Sequence, residues 1–130
     1  MILVDTSIWI DLFSKRPKYK VSVDQLTLFV TCLPVIQEVI QGLKPGNSSE
    51  KIRDGMLALP RVCDPLGIDI YLHAADIYKQ GRSRGLTIRS SSDCLIAAIA
   101  IESKLAIWHS DRDFAQISRF TNLQSIANLF

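Results

Sequence analysis

The chain has 130 residues, 48% hydrophobic and 22% charged, with a net charge of +2, which suits a single globular domain over residues 1–130 with one sizeable core. So small a net charge excludes a global polycation of the kind that coats nucleic acid, leaving any basic surface to be local. No apolar run approaches the 18 or so residues of a membrane span, and the N-terminal MILVDTSIWIDLF meets an acid at position 5 with no basic segment before it, unlike a signal peptide. The expected location is the cytoplasm. Cys32, Cys63 and Cys94 are far apart and lack further Cys or His in metal-ligand spacing, so they are read as reduced core thiols.

In chain order, residues 2–4 are an aliphatic run suited to a strand buried on both faces, ending at Asp5. Residues 6–13 pair Ile8 with Leu12 and Trp9 with Phe13 at helical spacing, and the basic SKRPKYK stretch then makes a loop. LFVTC at 28–32 predicts a second strand, and Pro34 opens a helix to about Leu43. Ser49 precedes another helix, residues 61–66 predict a short strand, and residues 69–84 predict an amphipathic helix closed by Gly85.

The SSS tract at 90–92 offers an N-cap to a helix whose apolar stripe holds Ile96, Ala97, Ala100 and Ile101, with Asp93 in its first turn on the apolar side. A strand at 105–109, a short helix at 114–118 and an edge strand at 123–125 complete the chain. Alternating strands and helices predict an α/β fold of three layers, with a mostly parallel central sheet flanked by helices. Such sheets place their sites beyond the carboxyl ends of the strands.

Four acids sit inside or at the end of strongly apolar segments: Asp5, Glu38, Asp93 and Asp111. Burying an acid unpaired is costly, yet each has a simple local explanation. Asp5 reads equally as a helix N-cap, Glu38 as a solvated helix position, and Asp93 as a complement to the helix dipole. Of Asp111 and Asp113, the first is read as the ligand and the second as a cap or supporting group. If the four converge, two carboxylates about 5 Å apart repel by roughly 3 kcal/mol at an effective dielectric near 20, so a cation is required. Oxygen-only ligands select a hard ion, Mg²⁺ or Mn²⁺, and the matching chemistry is metal-assisted phosphodiester hydrolysis.

The order ILVDTSIWI, VIQEVIQGL, DCLIAAIA and HSDRDF resembles the PIN-domain family, and within it the VapC-type ribonuclease toxins of toxin–antitoxin pairs. The likeness covers nearly the whole chain. It implies that Asp5, Glu38, Asp93 and Asp111 are the catalytic metal-binding acids, holding Mg²⁺ or Mn²⁺, and that Thr6 or Ser7 orients a ligand or water. It further implies an RNA substrate, a cognate VapB-type antitoxin and a homodimer. Arg82, Arg84 and Arg89 form one candidate RNA-binding cluster, with Arg89 nearest the acids, and Lys15, Arg16, Lys18 and Lys20 form another.

His73 is read as structural, His109 as structural or supporting Asp111, and Trp9 and Trp108 as core. The apolar residues at 26–29 and 35–43 suit either the core or a partner surface. Two competing readings stand beside the nuclease. A receiver-like or phosphatase-like Mg²⁺-binding domain would need an early acidic pair that DTS lacks, and a non-enzymatic module would use its acidic groove only to dock a basic peptide.

Overall fold

Three residues of β1 (Ile2–Val4) form an inner strand, hydrogen-bonded in parallel to β2 (Phe29–Val30) on one side and β3 (Ala106–Trp108) on the other. The computed structural model describes residues 1–129, and for Asn47 the backbone alone. A fourth strand, β4 (Ser125–Ile126), pairs in parallel with β3, giving the order β2-β1-β3-β4. The chain thus leaves β1 for one side and later returns to the other. Ligands of open α/β sheets collect at the carboxyl end of such a reversal, here the crevice between β1 and β3.

Helices α1 (Thr6–Leu12), α2 (Val23–Leu26), α3 (Leu33–Gln41), α4 (Asn47–Ala58), α5 (Ile68–Ser83), α6 (Ser91–Glu102) and α7 (Arg112–Ile117) flank the sheet. The short α2 was not anticipated, although its start is legible. Ser22 and Gln25 form a reciprocal capping box, each side chain bonding the other's backbone N–H. The strand expected at 61–66 does not form beyond one parallel bridge between Thr31 and Arg61. Cys63 adopts a left-handed φ of 52°, and Pro65 has no N–H to extend a ladder. The last strand lies two residues beyond the expected start, and α7 begins two residues before it.

Helix α6 is the centre of the core. Cys94 and Ile96 to Ala100 are all buried, so the helix is enclosed nearly all round, as expected where sheet and helices both press on it. It packs against α5, α3, α7 and β3. Trp108 and Phe29 approach with centroids 5.7 Å apart, and Trp9 stacks on Phe13 at 5.7 Å, placing both tryptophans where the sequence assigns them. Cys32 and Cys94 are buried and Cys63 is half-buried, and all three are free thiols. Burial pushes Cys32 up to about 12 and Cys94 up to about 11, which leaves both inert as nucleophiles.

Helix α5 closes on Gly85, whose φ of 72° suits the position beyond the cap. Gly85 N–H donates to Arg82 O and Leu86 N–H to Gly81 O, the paired bonds of a Schellman ending. Of the apolar segments offered as partner surface, Val35, Ile36 and Val39 face the core, whereas Leu26 and Leu28 are exposed. Truncating the fully buried Ile99 to alanine is expected to cost about 2–5 kcal/mol of stability, read as a lower denaturant midpoint at unchanged m-value.

Candidate metal centre

Asp5 follows the last residue of β1 and is held there by its own N–H, which donates to Trp108 O at 2.9 Å. It is also the N-cap of α1, in extended conformation. Ser7 donates both its backbone N–H (3.1 Å) and its hydroxyl (2.6 Å) to Asp5 Oδ2. Capping and metal binding are therefore not alternatives, because the cap bonds converge on one carboxylate oxygen. The Ser7 hydroxyl in turn accepts from Ser110 N–H at 3.1 Å, joining the ends of β1 and β3.

Glu38 projects from α3, half-buried. Thr6 Oγ1 donates to its Oε1 at 3.1 Å and Ser92 Oγ to its Oε2 at 3.3 Å, so Glu38 bridges the starts of α1 and α6. Thr6 and Ser7 thus divide the work between the first two acids. Ser92 and Ser110 are the residues that sequence reasoning missed. The SSS tract was the available signal for Ser92, but it pointed to capping. Ser90 does occupy the N-cap of α6 without a side-chain cap bond, and its hydroxyl lies instead 3.0 Å from that of Ser92.

Asp93, Asp111 and Asp113 each present a carboxylate oxygen within 4.8 Å of the others. Of the two readings of Asp113, cap or supporting group, the structure gives the cap to Asp111 and leaves Asp113 the supporting one. Asp111 caps α7 by accepting from Asp113 N–H at 3.0 Å, because the helix starts at Arg112. Asp113 is only 1% exposed, and its Oδ2 accepts from the backbone N–H groups of Arg89 (3.1 Å) and Ser90 (3.3 Å). It therefore pins the segment that leads into α6 and Asp93. Its Oδ1, like Asp93 Oδ2, is buried with no donor group in reach, and the two carboxyls can bond only to each other, through a proton held on Asp93.

Two buried carboxyls that can bond each other only through a shared proton are expensive to ionise together, and among the described residues no lysine or arginine is ion-paired to any of the five acids. Burial first, then the charges of Asp111 and Asp5, push Asp93 up to about 9. Burial likewise raises Asp5, against the lowering effect of the Ser7 hydrogen bonds, with Glu38 adding to the rise. Without a cation the cluster resists full ionisation, and a hard divalent ion would take the place of the shared proton and relieve the repulsion. The residues present fit such an ion.

The remaining sequence candidates are spread over other parts of the fold. Arg89 is exposed, with its backbone fastened to Asp113. Arg82 and Arg84 are exposed at the far end of α5, their guanidinium groups 5.9 Å from the Tyr78 ring and 5.3 Å from the Phe120 ring. Lys15, Arg16, Lys18 and Lys20 are exposed on the loop after α1, where Lys18 and Tyr19 N–H groups donate to Asp11. His109 is buried against Phe114 at 5.3 Å, with the Asp111 backbone beside its ring. Burial holds it below the usual histidine range. His73 is half-buried on α5.

The PIN-domain family model matches residues 2–120. Two curated relatives, VapC ribonuclease Mb1587 of Mycobacterium bovis and Ribonuclease VapC11 of Mycobacterium tuberculosis, are each 34% identical over 131 residues, spanning 96% of this chain and 97% of the relative. The fold is shared with VapBC2 from Rickettsia felis, solved bound to a promoter DNA fragment (TM-score 0.73, 18% identity, 97% of this chain and 98% of that one). It is shared also with VapBC-1 from nontypeable Haemophilus influenzae (TM-score 0.70, 20% identity, 97% of each chain). With a parallel sheet opening on clustered acids and a family match over nearly its whole length, the chain belongs to the PIN-domain family, among the VapC ribonucleases.

Proposed function

We propose that this protein is an Mg²⁺- or Mn²⁺-dependent endoribonuclease acting in the cytoplasm as the toxin of a VapBC-type pair, with a VapB-type antitoxin as partner and a homodimer as the working form. The observation that carries the reading is the convergence of Asp93, Asp111 and Asp113 within 4.8 Å, with buried oxygens on Asp93 and Asp113 that no donor group among the described residues reaches. An acidic groove meant only for a basic peptide has no need to bury its carboxylates away from hydrogen-bond donors.

In this reading Asp5, Glu38, Asp93 and Asp111 hold the ion, which supplies charge stabilisation at the phosphate and an activated water for in-line hydrolysis. Asp113, whose carboxylate converges with those of Asp93 and Asp111 while Asp5 and Glu38 lie beside that group, is a further ligand candidate that also anchors Arg89 and Ser90. The chain's own residues do the positioning. Ser7 orients Asp5, Thr6 and Ser92 orient Glu38 from two sides, and Asp113 fixes the Arg89 backbone beside the acids. Arg89, Arg82 and Arg84 are the candidate contacts to the RNA backbone.

Cleavage of single-stranded RNA is expected with added Mg²⁺ or Mn²⁺ and to vanish with EDTA, and Asp93→Asn is expected to lower the rate by about 10²-fold or more. Cleavage by an Asp93→Asn protein at the wild-type rate would defeat the reading. End-group analysis is expected to find 5′-phosphate and 3′-hydroxyl products; a 2′,3′-cyclic phosphate would exclude hydrolysis by activated water.

In EDTA, stability should fall as pH rises. Asp93 binds its proton more tightly folded, up to about 9, than at its ordinary 3.8, so the folded state is progressively disfavoured across that window. Thermal melts from pH 5 to 9 should show a decline that Asp93→Asn flattens and that millimolar Mg²⁺ or Mn²⁺ opposes in the wild type.

A further inference from the structure

Three cavities follow one another along α5, neighbours sharing lining residues. The first, about 490 Å³, is lined by Glu38 and Gln37 of α3, Ser92 and Leu95 of α6, and Tyr71 of α5. The second, about 540 Å³, shares Tyr71, Ser92 and Leu95 and continues over Ala74 and Ala75 to Tyr78 and Lys79. The third, about 260 Å³, takes up Tyr78 and adds Arg82, Leu86 and Thr87. The furrow starts at a candidate metal ligand and ends at arginine.

Its floor is set by helical spacing. Tyr71 and Tyr78 are seven residues apart on α5, two turns and about 10 Å along the axis, so they share a face. Tyr71 is 48% exposed, unlike the core aromatics of the sheet. The alanines between them keep that stretch low and open. The Arg82 guanidinium lies 5.9 Å from the Tyr78 ring, setting a flat cation beside a flat ring at the outer end. Glu38 is the one carboxylate among the described residues lining the furrow, and Asp69 and Asp76 fall on another face of α5 by its 3.6-residue period.

We propose that this furrow binds single-stranded RNA leading away from the cleavage site, with bases stacked on Tyr71 and Tyr78 and the intervening phosphates met by Lys79 and Arg82. The assignment rests on the ribonuclease reading above and adds to it a binding track and the residues that form it. An aromatic platform joined to a cationic edge is the arrangement that holds unpaired strands without requiring one sequence, because every base has a face to stack. A duplex hides those faces. Continuity with Glu38 and Ser92 favours the strand that is cut over an unrelated ligand.

The test measures affinity of labelled single-stranded RNA by anisotropy, with Ca²⁺ replacing the catalytic ion to limit cleavage. Tyr71→Leu and Tyr78→Leu keep an apolar side chain but lose the ring, and each is expected to weaken binding by about 5- to 100-fold. Tyr71→Phe should restore it. RNA with one base removed at the matching position should bind wild type more weakly, while Tyr71→Leu should be indifferent to the missing base. Leucine variants that fold, cut RNA and bind it as tightly as wild type would overturn the track. So would a loss of affinity accompanied by a change in particle mass under light scattering, which would make the furrow a contact between copies of this chain. A wild-type protein that neither binds nor cuts RNA would instead overturn the ribonuclease reading and the track with it.

Discussion

Mutual repulsion among carboxylates is the constraint that the rest of the molecule is arranged to bear. Asp93, Asp111 and Asp113 crowd together at the carboxyl edge of the sheet, with Asp5 and Glu38 beside them and, among the described residues, no basic side chain ion-paired to any. Like charges at this spacing oppose folding by amounts comparable to a good part of a domain's net stability. The enclosed α6, carrying Asp93 at its first turn, and the β1–β3 pair, carrying Asp5 and leading to Asp111, are what hold the acids where they would not otherwise stay.

Hydroxyls and backbone N–H groups connect these elements where cations do not. Ser7 ties β1 to the end of β3, Thr6 and Ser92 tie α3 to α1 and α6, and Asp113 ties α7 to the approach to α6. Neutral donors of this kind orient a carboxylate without competing for the charge that an ion would meet, as a bound arginine would.

Much of this was legible in the sequence. Hydrophobic patterning located β1, α1, α3, α5 and α6 within a residue or two, since each has a long apolar run or a clear terminator such as Pro34 or Gly85. The acids stood out because Asp5 and Asp93 interrupt such runs. What escaped depended on partners distant in sequence. Ser92 finds Glu38 across 54 positions and Ser110 finds Ser7 across 103, pairings with no local trace. The same holds for Asp111 and Asp113. Either residue can cap a helix, and only the observed start at Arg112 assigns the cap to Asp111. The 61–66 segment failed as a strand because its β-branched content was outweighed by a left-handed Cys63 and by Pro65.

Asp5 and Asp113 each accept their Ser7, Arg89 and Ser90 hydrogen bonds through a single oxygen, Oδ2 in both, and Asp113 Oδ1 is buried without a donor. Truncation and isosteric replacement therefore interrogate different properties of the same residue. Alanine at position 113 removes the acceptor for Arg89 and Ser90 along with the charge, loosening the approach to Asp93, whereas asparagine can keep an acceptor there while discarding the charge. The gap between the two substitutions, rather than either alone, separates what the carboxylate does as scaffold from what it does as ligand.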